Sequence, residues 1–590
     1  MKTVVAIIFL FFITSSSFAQ YYLRGEIKDE QNNPLPNVKI LLHSSGYIYY
    51  SGNSGGFGIT IPAAFDSVTV SADGFQTFCA KLDAGKYQYI TLRMLYKPST
   101  NIPANRLISF TKNLKIEDWQ NWTSGAETYS SLVENEFVAT SKFPETNFAI
   151  NINKASYSNV RRFLNLGSPV PPDAVRIEEL LNYFNFDYTA PVPDSSFSFN
   201  SYVSDCPWNA ENLLLFLHIC AKKADIERTP PANLVFLIDV SGSMDLPNRL
   251  PLLKSAFTLL VKNLRDKDTV SIVVYGGTVG VWLPPTSGAE KQKILKSIED
   301  LNPGGSTPGE AGIRAAYRLA KSQFIKGGNN RVILATDGDF NVGQNTDEEL
   351  EGLISMYRQW GIYLTCLGVG MGNYKDSKLE VLAKKGNGNF AYLDNEKEAE
   401  KVLMREFTQT IYAVANDAYI DISFNPSIVK DYRLIGFDNK LRALSDTVNE
   451  IQGGEIGSGH SLLAMLEIHP SHGNMEDIHP DKKGFAKIVL NYKLPIDTIA
   501  RKAFYDCPFD VTTFNDLPAS YRLASSTVMF GGLLKKSKYM QRINWDDIIE
   551  LASQSYDAND TAQKEFMDLL EKAKKIYAKE KKKKKPQLHE

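Results

Sequence analysis

The sequence predicts a multidomain protein of the α/β plus β class, with a doubly wound parallel-sheet domain inserted in a β-sandwich-like scaffold. Three observations lead to this prediction. From Leu234 onward, short apolar runs alternate with segments of helical period, as in a mostly parallel α/β sheet. The flanking segments 193–230 and 415–500 show the two-residue alternation of strands. A length of 590 residues leaves room for about four domains, each on the order of 150 residues.

The first residues have the pattern of a secretory signal. Lys2 precedes the apolar run Val4–Ile13, and the small residues Ser17 and Ala19 follow it, so we expect cleavage after Ala19. An uncleaved signal anchor is the alternative, but the run is short for a membrane span. No later run approaches a span, so we expect no transmembrane segment in the mature chain. We therefore expect export across the inner membrane, with the periplasm as the favoured location and the cell surface or the exterior as alternatives.

The remaining segments follow from their periodicity. Closely spaced strands and turns predict a small β-sandwich at residues 20–96, and the aperiodic residues 97–130 read as a linker. Residues 131–192 contain two amphipathic helices. The α/β domain takes residues 231–414, and the strands on either side of it are expected to pair into one split scaffold, since the termini of a domain usually lie close together. Residues 501–580 are predicted to be helical, and residues 581–590 form a basic tail.

Composition and charge narrow the range of partners. The formal net charge of −2 argues against nucleic acid as a general partner. The unbroken run Lys581–Lys585 allows weak contact with an anionic membrane surface, although a solvated terminus explains it as well. The five cysteines are scattered without zinc-ligand spacing. Cys206 and Cys220 are the closest pair, and a disulfide between them is possible after export.

The strongest local signal follows the apolar run that ends at Ile238. Asp239, Ser241 and Ser243 present one carboxylate and two hydroxyls at alternating positions. All three are oxygen donors, the ligand type that hard cations such as Mg2+, Mn2+ and Ca2+ prefer. They follow a predicted strand, at the end where open α/β sheets bind their ligands. A loop of capping residues explains the same pattern without any metal.

Two further loops supply the donors that this first loop lacks. Thr307 lies in a glycine-rich loop ahead of a predicted helix, and Asp337 follows the apolar strand Arg331–Ala335. Because the carboxyl ends of parallel strands meet at one edge of the sheet, these loops should converge. The candidate metal ligands are therefore Asp239, Ser241, Ser243, Thr307 and Asp337.

This set of donors resembles the metal-ion-dependent adhesion site (MIDAS) of von Willebrand factor type A (vWA) domains, whose fold is Rossmann-like. The order and spacing of the D-x-S-x-S motif, the loop threonine and the T-D-G aspartate all agree. The resemblance implies that Ser241, Ser243 and Thr307 bind the cation directly, and that Asp239 and Asp337 bind it directly or through water. It also implies Mg2+, or Mn2+ or Ca2+, as the cation. With only two charged donors, that cation would accept an Asp or Glu side chain from a protein partner.

Other parts of the chain carry resemblances of their own. Gly25–Asp29, Pro34–Val38 and Gly55–Phe57 resemble motifs of carboxypeptidase regulatory-like domains, which are accessory and non-catalytic. Residues 133–190 and 415–580 resemble the flanking regions of a bacterial family of secreted vWA proteins. The motifs of that second resemblance are Ala155–Leu164, Glu178–Phe184, Gly368–Tyr374, Gly454–His460 and Phe530–Leu534.

The sequence favours binding over catalysis. No nucleophile elbow, zinc-protease helix or phosphate-binding loop is present, so no catalytic residue is assigned. We expect a non-enzymatic envelope protein that binds a protein partner through the cation. One alternative is a metal-dependent hydrolase, or a regulatory subunit of one, in which the cation acts as a Lewis acid. Another is a structural spacer whose cation stabilises the fold.

Overall fold

The structure is a computed structural model that describes most of the chain. The described residues are 21–30, 32–72, 75–93, 106–107, 127, 129–150, 153–225, 227–276, 278–305, 309–338, 347–370, 376–406, 409, 411–440, 453–471, 484–495 and 499–583. The expected signal at residues 1–19 and the candidate ligand Thr307 lie outside them. The chain divides into two compact units, residues 1–104 and 105–590.

The first unit is built from short strands around one apolar core. Its strands are β1 (Tyr21–Asp29), β2 (Lys39–Leu42), β3 (Ile48–Tyr50), β4 (Gly56–Ile61), β5 (Phe65–Ser71), β6 (Phe78–Asp83) and β7 (Tyr87–Leu92). They form two sheets, with the orders β4-β1-β7 and β3-β2-β5-β6. Alternate residues of both sheets, among them Leu23, Ile40 and Val70, share one buried cluster, as expected where the strand period places every second side chain inward.

The second unit contains all the other described elements. Before the α/β region these are β8 (Arg106–Leu107), β9 (Leu132–Val133), β10 (Val138–Ala139), β11 (Glu145–Ala149), α1 (Ala155–Asn165), α2 (Ile177–Leu181), β12 (Phe197–Asp205) and β13 (Leu213–Ala221). The α/β region comprises β14 (Ala232–Asp239), α3 (Leu250–Lys262), β15 (Thr269–Gly276), β16 (Thr278–Ser287), α4 (Lys291–Glu299), α5 (Gly309–Ser322), β17 (Asn329–Thr336), α6 (Asp347–Gln359), β18 (Ile362–Val369), α7 (Asp376–Lys385), β19 (Phe390–Leu393) and α8 (Glu396–Glu400). It is followed by β20 (Ala413–Phe424), β21 (Val429–Ile435), β22 (Asn439–Lys440), β23 (Gly454–Gly457), β24 (Ser461–Pro470), β25 (Ala486–Lys493), β26 (Ala500–Cys507), β27 (Val511–Thr512), α9 (Ala519–Lys535), α10 (Trp545–Ser553) and α11 (Thr561–Lys583).

The α/β region forms a six-stranded sheet with the order β16-β15-β14-β17-β18-β19. All neighbouring pairs are parallel except β15 and β16. Successive residues of the central strand β14 enter opposite apolar clusters, Leu234 with α3 and α4 on one face and Val235 with α5 and α6 on the other. Burial on both faces explains why β14 is a continuous apolar run rather than an alternating one. This is the mostly parallel, doubly wound α/β sheet that the sequence predicts for this region.

Strands from both sides of the α/β region are hydrogen-bonded neighbours. One sheet has the order β10-β21-β24-β13-β12-β27, and another has the order β26-β25-β20-β11-β8. The pairs β13–β24 and β11–β20 each join strands that are more than 200 residues apart in the sequence. The two sheets share an apolar cluster that includes Leu215, Ile420 and Leu466.

The helices outside the α/β region form a separate packing group. Residues of α1, α2, α9, α10 and α11 bury one apolar cluster against strands β13 and β24. Phe184 and Phe566 illustrate it, since their rings meet edge to face with centroids 5.6 Å apart although they are far apart in sequence. Among the described residues, no helix has the length and apolar character that crossing a membrane would require.

Two sequence predictions differ from the structure, and one possibility left open by the sequence is not realised. The helical region predicted from residue 501 begins with strands, because Ala500–Cys507 pair antiparallel with Ala486–Lys493 and helices start only at Ala519. The predicted linker 97–130 contributes the short strand Arg106–Leu107 and a buried Glu127. Cys206 and Cys220 are both buried free thiols, so the possible disulfide between them is not formed.

Of the basic tail, residues 581–583 continue α11 and the rest lies outside the described residues.

Candidate metal centre

The candidate site lies at the carboxyl ends of the two central strands of the α/β sheet. Asp239 is the last residue of β14, and Asp337 directly follows β17. These strands are parallel neighbours in which Ile238 pairs with Ala335, so their ends bring the two carboxylates to one edge. Ser241 and Ser243 lie in the loop after β14, where residues Gly242–Met244 form one turn of 3-10 helix. The predicted convergence of Asp239, Ser241, Ser243 and Asp337 is therefore observed.

The Asp239 carboxylate is fully buried and held by short polar contacts. One oxygen accepts the Ser241 N–H at 2.9 Å, and the other accepts the Thr336 hydroxyl at 3.0 Å. Burial raises the pKa of Asp239 to about 6, with the Asp337 charge acting in the same direction and the hydrogen bonds opposing it. A bound cation would offset this burial cost, since an opposite charge favours the ionised carboxylate.

The two serine hydroxyls converge beside the carboxylates. Their Oγ atoms are 3.0 Å apart, although Ser241 is buried and Ser243 is exposed. Carboxylate and hydroxyl oxygens of this kind suit a hard divalent cation, and the exposed Ser243 leaves one side open to solvent. The residues present therefore fit the cation that the sequence implies.

The loop that carries Thr307 is tied to the serine loop. The Gly304 N–H donates to the Val240 carbonyl at 2.6 Å, and the Gly242 N–H donates to the Gly305 carbonyl at 3.1 Å. These bonds fix the described part of the loop, residues 304–305, against the D-x-S-x-S segment. Thr307 itself is outside the described residues, so its role as a ligand stays a prediction.

Two residues that contact the candidate ligands are not among the ligands predicted from the sequence. Thr336 donates to Asp239, which fixes the carboxylate that it contacts. Arg249 is an ion-pair partner of Asp337, with Nη1 to Oδ2 at 2.6 Å. The sequence offered Thr336 only as the first letter of T-D-G, and Arg249 lies in an aperiodic stretch before α3. The first contact joins the ends of the neighbouring strands β14 and β17, and the second depends on how the loop before α3 folds back on the sheet.

The described residues contain no group of three or more His, Cys, Asp or Glu side chains arranged to hold a metal ion. Burial raises the pKa of the Cys507 thiol to about 11, which favours its neutral form.

Several parts of the chain match known protein families. The family model of the von Willebrand factor type A domain matches residues 233–405, one described as von Willebrand factor matches residues 123–216, and one described as uncharacterized protein YfbK, C-terminal, matches residues 409–576. The chain is 36% identical to the uncharacterized protein YfbK of Escherichia coli (strain K12) over 489 residues, which cover 79% of this chain and 84% of that protein.

Two other proteins are less similar in sequence, and their matches cover a smaller part of this chain. The chain is 27% identical to the magnesium-chelatase 67 kDa subunit of Chlorobaculum parvum over 186 residues, which cover 29% of each protein. A solved structure of von Willebrand factor type A from Catenulispora acidiphila is 14% identical, with a TM-score of 0.38, and the match covers 66% of this chain and 91% of that one.

Proposed function

Because this chain belongs to the family of the uncharacterized protein YfbK and contains a vWA domain, we propose that it is a non-enzymatic cell-envelope protein that binds a protein partner through a divalent cation. Domains of this type commonly use a metal-ion-dependent adhesion site for protein interactions. The residues that would hold the cation are Asp239, Ser241, Ser243, Thr307 and Asp337. The observation that carries the proposal is the buried Asp239 carboxylate beside two converging hydroxyls at the edge of the sheet.

The chemistry of the donors points to an acidic partner. Two carboxylates and three hydroxyls supply five oxygen donors, one fewer than the six of an octahedral cation such as Mg2+, so there is room for another ligand. Mg2+ suits such a site because it keeps several waters and exchanges them for outside oxygens, and Mn2+ or Ca2+ are the alternatives. An Asp or Glu side chain of the partner would complete the coordination. The signal at residues 1–19 would deliver the protein to the envelope, where the first unit would serve as an accessory domain.

A second function is favoured by one similarity. The match to a magnesium-chelatase subunit would suit a role as the regulatory subunit of a metal-dependent enzyme. Metal-assisted hydrolysis by this chain itself would use a nearby general base. Among the described loop residues 239–245, 302–305 and 337–338 there is no His or Glu, and Glu310 on α5 is paired with Arg314 at 2.6 Å. Binding is therefore the better supported function.

Asp239→Asn tests the proposal because it removes a ligand charge while keeping the shape of the side chain. We expect at least a tenfold loss of Mn2+ affinity, about 1.4 kcal/mol, measured by calorimetry on the full chain. Asp266→Asn, which removes an exposed carboxylate before β15, is the matched control and should bind Mn2+ like the wild type. In cells, crosslinking mass spectrometry should recover a partner with the wild type and lose it with Asp239→Asn. Equal Mn2+ affinity in Asp239→Asn and the wild type would contradict the proposal.

Gly276→Ala tests whether the backbone of the serine loop has to be held in place. A Cβ at Gly276 would lie 2.6 Å from the Val240 carbonyl carbon and 2.7 Å from the Ser241 nitrogen, so the loop would have to shift. We expect a Mn2+ affinity at least threefold weaker than that of the wild type. Gly280→Ala, on the adjacent strand β16 with no atom within 4 Å of the added Cβ, should leave the affinity unchanged. An equal effect of both substitutions would show that the loss does not come from the serine loop.

A further inference from the structure

Arg249 places a permanent positive charge inside the proposed cation site. Its Nη1 atom lies 2.6 Å from Asp337 Oδ2 and 2.6 Å from the Ser243 carbonyl oxygen. It therefore contacts one carboxylate of the site directly and also the backbone of the loop that carries the serines. The guanidinium group carries a positive charge and offers only hydrogen-bond donors.

The Arg249 guanidinium lies within the fold and not at its surface. The Arg249 side chain is only 11% exposed. Gly370, which follows β18, makes room for it, because a Cβ at that position would lie 2.7 Å from Arg249 Nε and 3.0 Å from its Cγ. The Gly370 N–H also donates to the Asn248 carbonyl at 3.1 Å. A backbone hydrogen bond thus joins Asn248, which precedes Arg249, to Gly370, which packs against the Arg249 side chain.

This arrangement changes the charge that the site offers to a cation. Asp239 and Asp337 carry two negative charges when ionised, and Arg249 offsets one of them. Buried charges at such short distances interact more strongly than they do in water. An incoming divalent cation would therefore meet repulsion from the guanidinium and would have to share Asp337 with it or separate the pair.

We propose that Arg249 is a built-in competitor that lowers the affinity of the adhesion site for its divalent cation, so that the cation and an acidic partner bind cooperatively. This inference rests on the proposed function. With Arg249 in place, the charges of Asp239, Asp337, Arg249 and a bound divalent cation sum to +1. The carboxylate of a partner cancels that excess, and by linkage each ligand then raises the affinity for the other.

A purely positioning role for Arg249 gives the opposite expectation. If the guanidinium only orients Asp337 for the cation, its removal should weaken cation binding. If it competes with the cation, replacement by a neutral side chain should strengthen binding. The sign of the change therefore separates the two roles.

The test is calorimetric titration of the full chain with MnCl2 alone, comparing the wild type with Arg249→Gln and Arg249→Lys. Gln keeps a donor for Asp337 without the charge, and Lys keeps the charge. We expect Arg249→Gln to bind Mn2+ at least tenfold more tightly than the wild type, and Arg249→Lys to stay within threefold of it. Thermal unfolding in chelator checks that each variant folds. Arg249→Met, whose apolar stem can still pack on Gly370, serves as the neutral variant if Arg249→Gln is unstable.

The outcomes distinguish this inference from the proposed function. Unchanged or weaker Mn2+ binding by the folded neutral variant, with clear binding by the wild type, would overturn the competitor role and leave the adhesion site intact. Wild-type binding that Asp239→Asn does not reduce would overturn the proposed function, and the inference with it. Tighter binding in Arg249→Gln that is lost on adding Asp239→Asn would support both.

Discussion

Replacing Arg161 by Met is expected to lower the free energy of unfolding of the second unit by about 3–5 kcal/mol, the range found when one partner of a buried ion pair is removed. Arg161 lies on α1, and its guanidinium pairs with Asp394, with Glu398 at 2.8 Å and with Glu565 at 2.9 Å. The Asp394 and Glu398 side chains are 5% and 2% exposed. The substitution would leave both carboxylates buried without this cation.

The partners of Arg161 explain why the effect should be large. Asp394 and Glu398 belong to the α/β region, and Glu565 belongs to α11 near the end of the chain. One guanidinium therefore joins three segments that are distant in sequence. Burial raises the pKa of Asp394 and the contact with Arg161 lowers it, so the ionised carboxylate depends on this partner.

Urea denaturation followed by tryptophan fluorescence measures the effect, because all six tryptophans lie beyond residue 104. Lys574→Ala is the matched control. It removes the cation of the pair with Asp546, in which the Lys574 and Asp546 side chains are 40% and 73% exposed, and should leave the urea unfolding curve close to that of the wild type. An Arg161→Met protein within 1 kcal/mol of the wild type would show that the buried carboxylates find other partners or take up protons at little cost.

The contrast between Arg161 and Asp239 shows which features the sequence could predict. Asp239, Ser241 and Ser243 are close in the chain and follow an apolar strand, so local pattern and sheet topology together place them at one edge. Arg161 lies on a predicted amphipathic helix, but its carboxylate partners lie more than 200 residues further along the chain. Periodicity carries no information about such pairs, because they form only when separate segments pack.

The same reasoning applies to Arg249 and to the C-terminal strands. Nothing in the stretch before α3 distinguishes Arg249 from a surface arginine, because its contacts with Asp337 and Gly370 arise from loop packing. Ala500–Cys507 falls almost wholly in the region predicted to be helical, although it is a strand. Most of its residues are exposed or half-buried, so its sequence has little apolar alternation. Its pairing with β25 gives it a strand conformation that its own sequence does not specify.

Replacing His460 by Asn is expected to remove an acid-sensitive contribution to stability. His460 is buried, and its Nδ1 accepts the Gly457 N–H at 2.9 Å, so the ring acts there as a neutral acceptor. Burial lowers the pKa of His460 to about 3, and the positive charge of Lys154 acts in the same direction. Protonation would both charge a buried ring and abolish the acceptor.

The sign of the pH dependence follows from the unfolded state, in which a histidine has a pKa of about 6.5. Because the unfolded chain binds this proton more readily, the contribution of His460 is fully present above pH 6.5. It is lost as the pH falls from 6.5 towards 3, and the loss reaches about 3 kcal/mol by pH 4. Glu178 acts oppositely, since burial raises its pKa to about 7 and acid then favours the folded form. Only the difference between wild type and variant therefore isolates His460.

Urea denaturation of the wild type and of His460→Asn at a series of pH values from 7 to 4 makes that comparison. Asn is the matched replacement because its side-chain oxygen can still accept the Gly457 N–H but does not titrate in this range. The variant should be less stable at pH 7 and should lose about 3 kcal/mol less than the wild type by pH 4. Glu178 and the buried His218, whose pKa burial lowers to about 4, are present in both proteins and cancel in the difference. Parallel pH profiles for the two proteins would mean that His460 takes up a proton as readily in the folded state as in the unfolded state, and that its ring does not remain a neutral acceptor of the Gly457 N–H.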